Sequence, residues 1–488
     1  MPLAACSICC WGRRPPARRV LFPSYLFLLG FLPVVVVGYW LLSAGVRRWW
    51  LLAASALFYG WVDWRFLALL VGMTALSFVT STTLMTRESP PVRRLGLGLA
   101  FGNLIVLGVF KYYDLFATTL NELGLRLGLG PIVSILHLAL PLGISFYTFN
   151  LLSYSIDVYR LRAKAAPSFA DLLRYASFFP TVTSGPLMRW TEFETQLETD
   201  RRPDAARFEL GLFNVIVGLA KKLVIADWIA RVIDPLWADP AALGVWGAWL
   251  AVVGYHFRLY FDFSGYCDIA VGLGHFLGIQ VPANFRAPYT ARSITEFWHK
   301  WHITLSTWFR DYLFFPLSRA LLRRARGRHP ESTRVVCLVL TMGLTGFWHG
   351  PSWTYLVWGI YQGLLLAIHA QTRSRRKPWP AWAGRALTTL ALLHGWVIFR
   401  SGSLAMAGSL YASMYGGRGW GPAPLSIAGV DTSFVLLLAG LFVLTNLPWD
   451  MPDLRPRPTW GYAVGLAALL VISLLCVGQP TPFLYFQF

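Results

Sequence analysis

Charge is scarce in this chain, and acidic charge scarcest: 23 Asp and Glu stand against 43 Lys and Arg in 488 residues, and charged residues make up only 14%. Soluble domains carry about a quarter of their residues as charges, so this deficit excludes an ordinary soluble fold. The 56% hydrophobic content and mean hydropathy of +0.51 point the same way. Cysteine is sparse too, at six residues. Cys267, Cys337 and Cys476 stand in apolar segments, and Cys6, Cys9 and Cys10 form a CxxCC cluster without a second ligand pair, so no metal site is expected. The LAAC at Leu3 to Cys6 lacks the preceding apolar stretch of a lipoprotein signal, which leaves residues 1–19 as a basic extension. Continuous basic surface is missing as well. Despite the net charge of +20, Arg and Lys fall in short loops between hydrophobic segments, the placement of the positive-inside rule, so the partner they imply is a lipid membrane and not nucleic acid.

What is present is a series of apolar runs: 20–42, 64–84, 95–116, 132–156, 210–233, 246–263, 335–348, 353–369, 387–399, 434–447 and 460–477. About 20 apolar residues span a hydrocarbon core of about 30 Å as a helix, so the fold class is all-α, a polytopic helical membrane protein. Several runs are short or interrupted by Gly, Pro and polar residues, a backbone that lipid does not tolerate but a protein-lined cavity does. PTVTSGPLMR, with its Gly185–Pro186 break, reads as a re-entrant loop. The loops with Arg323, Arg324, Arg326, Arg328 and Arg334, with Arg373, Arg375, Arg376, Lys377 and Arg385, and with Arg455 and Arg457 are expected in the cytoplasm. The run 460–477 then crosses outward and delivers the aromatic end PTPFLYFQF to the far side. The parts are a basic extension (1–19), a membrane core (20–459) and a C-terminal helix with an extracytoplasmic tail (460–488).

Two stretches carry chemistry. TGFWHGPSW, residues 345–353, sets His349 before a Gly-Pro break, 14 residues past Val335. At about 1.5 Å per residue that is roughly 21 Å of helix, deep in the bilayer, where an ionisable residue is a functional candidate. SITEFWHKWHITLSTWFRDYLFFP, residues 293–316, reads as one amphipathic helix, with Trp301, Leu305, Trp308, Phe309 and Tyr312 on an apolar face and His302 stacked beside Ser306. His299 reads as interfacial. Asp157, Asp262 and Asp268 are expected to pair with neighbours such as Arg160 or Arg258.

WHITLSTWFRDY followed by GFWHG resembles the membrane-bound O-acyltransferase superfamily, in its bacterial polysaccharide-modifying branch. The likeness extends through LPLGISFYTFNLLSYSIDVYR, YASFFPTVTSGPLMRW, GLAKKLVIAD, LYFDFSGYCDIAVGL and WVIFR, in order. It implies about 11–13 membrane segments, re-entrant and interfacial helices among them, around a tunnel faced by two histidines. His349 is then the principal catalytic residue and His302 its accessory, while His137, His256, His275, His329, His369 and His394 match no such position. Imidazole suits the task, since its ordinary pKa near neutrality lets it take a proton from an attacking hydroxyl and return one to a leaving group.

Two departures stand out. SRALLRRARGRHPESTR replaces the Gly-Gly-Asn-Arg loop usual in alginate-acetylating members, and His299–Lys300 replaces an Arg-Arg pair. The histidines lie 47 positions apart, at 302 and 349, closer to the spacing of the branch that exports D-alanyl groups. By resemblance the donor is acetyl-CoA, a substrate and not a cofactor, with a D-alanyl carrier protein as the alternative. The expected location is the bacterial inner membrane, and the expected partner a periplasmic SGNH-hydrolase-like transferase. The aromatic tail resembles one that ends alginate-type members, which makes Tyr485 a covalent acyl relay between His349 and that partner. A transporter or flippase would explain the spans and buried carboxylates but not the histidine motifs or the tail.

Overall fold

The computed structural model describes residues 22–197, 202–372, 379–427, 429–447, 451, 454, 456, 459–477 and 483–484. The extension 1–19, the basic residues Arg373, Arg375, Arg376, Lys377, Arg455 and Arg457, and Tyr485 lie outside these. The described residues hold helices and no strand, in two units, Met1–Thr183 and Ser184–Phe488.

In the first unit the helices are α1 (Leu32–Leu41), α2 (Ala44–Gly60), α3 (Trp64–Val79), α4 (Pro90–Ala100), α5 (Gly102–Arg126), α6 (Ile144–Tyr159) and α7 (Phe169–Ser177). With its π-helical continuation Thr80–Leu84, α3 gives a stretch Trp64–Leu84 that is long and apolar enough to cross a membrane, as is Pro90–Arg126. Val34, Leu41 and Ile105 are among the large apolar side chains turned outward, the surface that lipid contact requires. The helix α2 is absent from the apolar runs because Arg47 and Arg48 interrupt it. Arg47 lies over the rings of Tyr39 and Trp40 and donates to the Tyr39 carbonyl at 2.8 Å, so its charge satisfies the end of α1.

The run 132–156 is half helix only. Residues 127–143 are irregular, and α6 begins at Ile144. Pro131 and Pro141 cannot donate to a helix, and side chains of α5 take over the backbone partners: Asn121 Oδ1 accepts from Ile132 and Val133, and Asp114 from Leu136 and Leu138. Gly143 is obligatory at the turn into α6, because φ is +73° and a Cβ would lie 2.2 Å from the Val182 carbonyl oxygen.

The second unit contains α8 (Trp190–Leu197), α9 (Ala205–Leu219), α10 (Asp227–Ala238), α11 (Val245–Phe276), α12 (Ile294–Lys300), α13 (Ile303–Phe309), α14 (Phe315–Arg324), α15 (Pro330–His349), α16 (Trp353–Thr372), α17 (Ala381–Arg400), α18 (Leu404–Met414), α19 (Thr432–Asn446) and α20 (Trp460–Leu475). Its scaffold is the 32-residue α11. Against it lies α9, at backbone contact: a Cβ on Gly218 would meet the Gly265 carbonyl oxygen at 2.6 Å, and one on Gly272 the Gly211 carbonyl oxygen at 2.6 Å. Small residues permit such approach where helices pack in a membrane. The close crossing brings the Lys pair of the π-helical segment Ala220–Ala226 onto α11. Lys221 pairs with Asp268 at 2.6 Å, and Lys222 bridges Asp262 at 2.6 Å and Asp227 at 2.7 Å. Asp262 and Asp268 therefore pair with lysines and not with Arg258, which joins Arg400 on Asp234.

Candidate functional site

His349 is the last residue of α15, and Gly350 leaves the helix in an extended conformation. The return helix α16 packs tightly enough that a Cβ on Gly346 would lie 2.2 Å from the Tyr355 carbonyl oxygen. That contact sets the imidazole among aromatic walls: Trp348 at 5.0 Å, Phe399 at 5.3 Å and Trp358 at 5.4 Å between ring centres, all edge-on. His349 is 5% exposed.

His302 does not sit inside a helix. The stretch 293–316 is divided between α12 and α13, and His302 is the left-handed residue at the joint, with φ 44° and ψ 51°. The left-handed conformation costs a residue with a side chain about 1–2 kcal/mol, so surrounding contacts must hold it. Asn284 supplies them. Its carbonyl accepts the Ile303 N–H at 3.0 Å, and its Oδ1 accepts from the Thr304 N–H at 3.1 Å and the Thr304 hydroxyl at 2.9 Å. His302 Nδ1 lies 3.2 Å from the same oxygen. A backbone N–H can only donate, so the Asn284 atom is the acceptor and Nδ1 must bear the proton; the lone pair of the neutral imidazole is then on Nε2. Thr304 Oγ1 in turn accepts from the Leu187 N–H at 3.0 Å, which ties the buried, irregular loop after Gly185–Pro186 to the histidine.

The two imidazoles are brought together, 6.5 Å apart between ring centres. His299 is exposed, and His256 is fixed in packing, stacked on Tyr289 at 3.8 Å and accepting from Trp396 Nε1 at 3.1 Å. Phe263 on α11 stands edge-on to His302 at 4.7 Å. From the C-terminal tail, Phe483 stacks on Tyr266 at 4.4 Å, and both Phe483 and Leu484 are buried. Asn284 was not legible as a site residue; its signal in the sequence is an amide in a proline-bounded loop, VPANFRAP, and nothing there names its partner. Asn284→Ala removes the oxygen shared by His302 Nδ1 and both Thr304 donors, and it is expected to lower the rate of the reaction by at least about tenfold, since loss of the His302 bond alone is worth about 1.4 kcal/mol. Comparing initial rates per mole of purified protein checks this.

The model for the MBOAT, membrane-bound O-acyltransferase, family matches residues 160–406. The probable alginate O-acetylase AlgI of Pseudomonas syringae pv. tomato is 38% identical over 417 residues, 84% of this chain and 78% of its own. The peptidoglycan O-acetyltransferase of Helicobacter pylori is 33% identical over 436 residues, 82% and 80% of the two chains. The teichoic acid D-alanyltransferase of Streptococcus thermophilus is 33% identical over 244 residues, only 48% of this chain and 58% of its own. The acetylating relatives thus match most of the chain and the D-alanylating one about half, a difference the spacing of the histidines alone did not convey.

Proposed function

The chain belongs to the membrane-bound O-acyltransferase family, and from that premise we propose that it carries acetyl groups from acetyl-CoA in the cytoplasm across the inner membrane, which it spans many times, to a cell-surface polysaccharide. It is a membrane O-acetyltransferase by its similarity to acetylases over most of their length. The observation that carries the further reading is the buried pair of His302 and His349, the first locked by Asn284. In this reading the pair faces a tunnel open to both sides, and Tyr485 is the acceptor within it. His349 takes the phenolic proton as the oxygen attacks the thioester carbonyl, the carbon–sulfur bond breaks, and the imidazolium returns the proton to the departing thiolate. His302, with its lone pair on Nε2, assists as a second acceptor. The aryl ester is an activated carrier, because a phenol of pKa near 10 leaves far more readily than a sugar hydroxyl. An SGNH-hydrolase-like transferase outside then breaks the Tyr485 ester, bonds the acetyl to the glycan hydroxyl, and the phenol regains a proton. Alginate and peptidoglycan, named for the relatives, define the class of acceptor: an extracytoplasmic glycan.

Donor approach is assigned to the basic loop. Arg319, Arg323, Arg324, Arg326, Arg328 and Arg334 are all exposed, and clustered arginine attracts both CoA phosphates and an acidic carrier protein. Reversing three of them to Glu is expected to raise the acetyl-CoA concentration needed for half-maximal rate severalfold in inside-out vesicles. Unchanged donor dependence in a correctly inserted variant restricts them to topology. Labelled acetyl-CoA and a D-alanyl carrier protein offered to the same vesicles test the donor itself. Transfer of acetyl alone is expected, and transfer of D-alanine alone overturns the reading.

A further inference from the structure

We propose that Asp262 is a positioning residue that docks the C-terminal tail and sets the place of Tyr485 relative to the histidine pair, an inference that rests on the reading of Tyr485 as the acyl carrier. The Leu484 N–H donates to Asp262 Oδ2 at 2.9 Å in a buried setting. The other carboxylate oxygen is held by Lys222 at 2.6 Å, and Lys222 also binds Asp227 at 2.7 Å, with all three side chains 2–4% exposed. Two carboxylates thus share one ammonium, and buried charge needs compensation from hydrogen-bond donors. The tail supplies a donor of the strong, charge-assisted kind.

The same turns of α11 face both the tail and the site. Phe483 stacks on Tyr266 with an interplanar angle of 19° and lies 6.2 Å from Phe263, whose ring meets His302 edge-on at 4.7 Å. Asp262 recognises a main-chain N–H, so it fixes the register of the tail whatever side chain follows. Tyr485 follows Leu484 directly in the sequence, so the register set at the Leu484 amide carries over to the acceptor phenol.

The test reads docking and activity separately, on the full chain. Hydrogen exchange at the Leu484 amide, resolved by fragmentation of the C-terminal peptide, is expected to be at least tenfold faster in Asp262→Asn, with a matching loss of acetyl on the tail. Leu484→Pro removes the donor and leaves the Lys222 network in place, and it should lose at least tenfold more acetylation than Leu484→Ala, which keeps the N–H. Unchanged exchange in Asp262→Asn, or equal acetylation in the Pro and Ala variants, overturns the docking role while leaving Tyr485 as carrier untouched. Full acetylation in Tyr485→Phe with Asp262-dependent protection of Leu484 would instead remove the carrier reading and leave the dock standing.

Discussion

His349→Ala is expected to lower acetylation of the extracytoplasmic glycan by about 10²–10⁴-fold, the usual contribution of a positioned proton-transfer group, while the protein still accumulates in the membrane. The approach of His302, and not the aromatic walls around His349, argues for chemistry over packing. Trp348, Trp358 and Phe399 meet the ring edge-on and need only its shape, whereas the 6.5 Å approach of His302 brings a second imidazole to the same place. His302→Ala should cost less, because its lone pair assists a transfer that His349 performs. Acetylation per mole of protein in washed membranes measures both variants, and near-normal activity of His349→Ala would return the residue to a packing role.

Tyr485→Phe is expected to stop glycan acetylation altogether, since the hydroxyl it removes is the proposed acceptor oxygen. The change removes one hydroxyl and retains the ring, so the anchorage of Phe483 on Tyr266 and of Leu484 on Asp262 survives it. An aromatic residue that served only as an interfacial belt would tolerate the substitution. Acetate released from the glycan by mild base is the quantity to measure, and a yield equal to that of the unaltered protein would reduce the tail to an anchor.

Residues that could be read in the sequence are those whose signals are local. The Gly350–Pro351 break after GFWH marks the end of α15 and places His349 at a helix terminus, where it stands. The division at His302 was hidden because FWHKWHITLSTW contains neither Gly nor Pro and reads as uninterrupted helix. The left-handed joint is imposed from 18 positions away by Asn284, which supplies the competing hydrogen bonds. Lysine pairing was hidden for a similar reason. The glycine contacts of α9 with α11, Gly218 on Gly265 among them, set Lys222 opposite Asp262, and a helical pattern carries no information about which helix will cross it. In the run 132–156 hydrophobicity alone matches a span, whereas Pro131 and Pro141, with the polar groups of Asn121 and Asp114 accepting from the backbone, make its first part irregular.

The central claim is that the acetyl group travels on Tyr485 and is placed there by His349. Mass spectrometry of the C-terminal peptide, from cells making the polysaccharide but lacking the proposed periplasmic transferase, tests it most directly. The account predicts one acetyl increment on Tyr485 in the unaltered protein, base-labile as an aryl ester must be, and none in His349→Ala. An unmodified tail in the unaltered protein, or an acetylated one in His349→Ala, would contradict it.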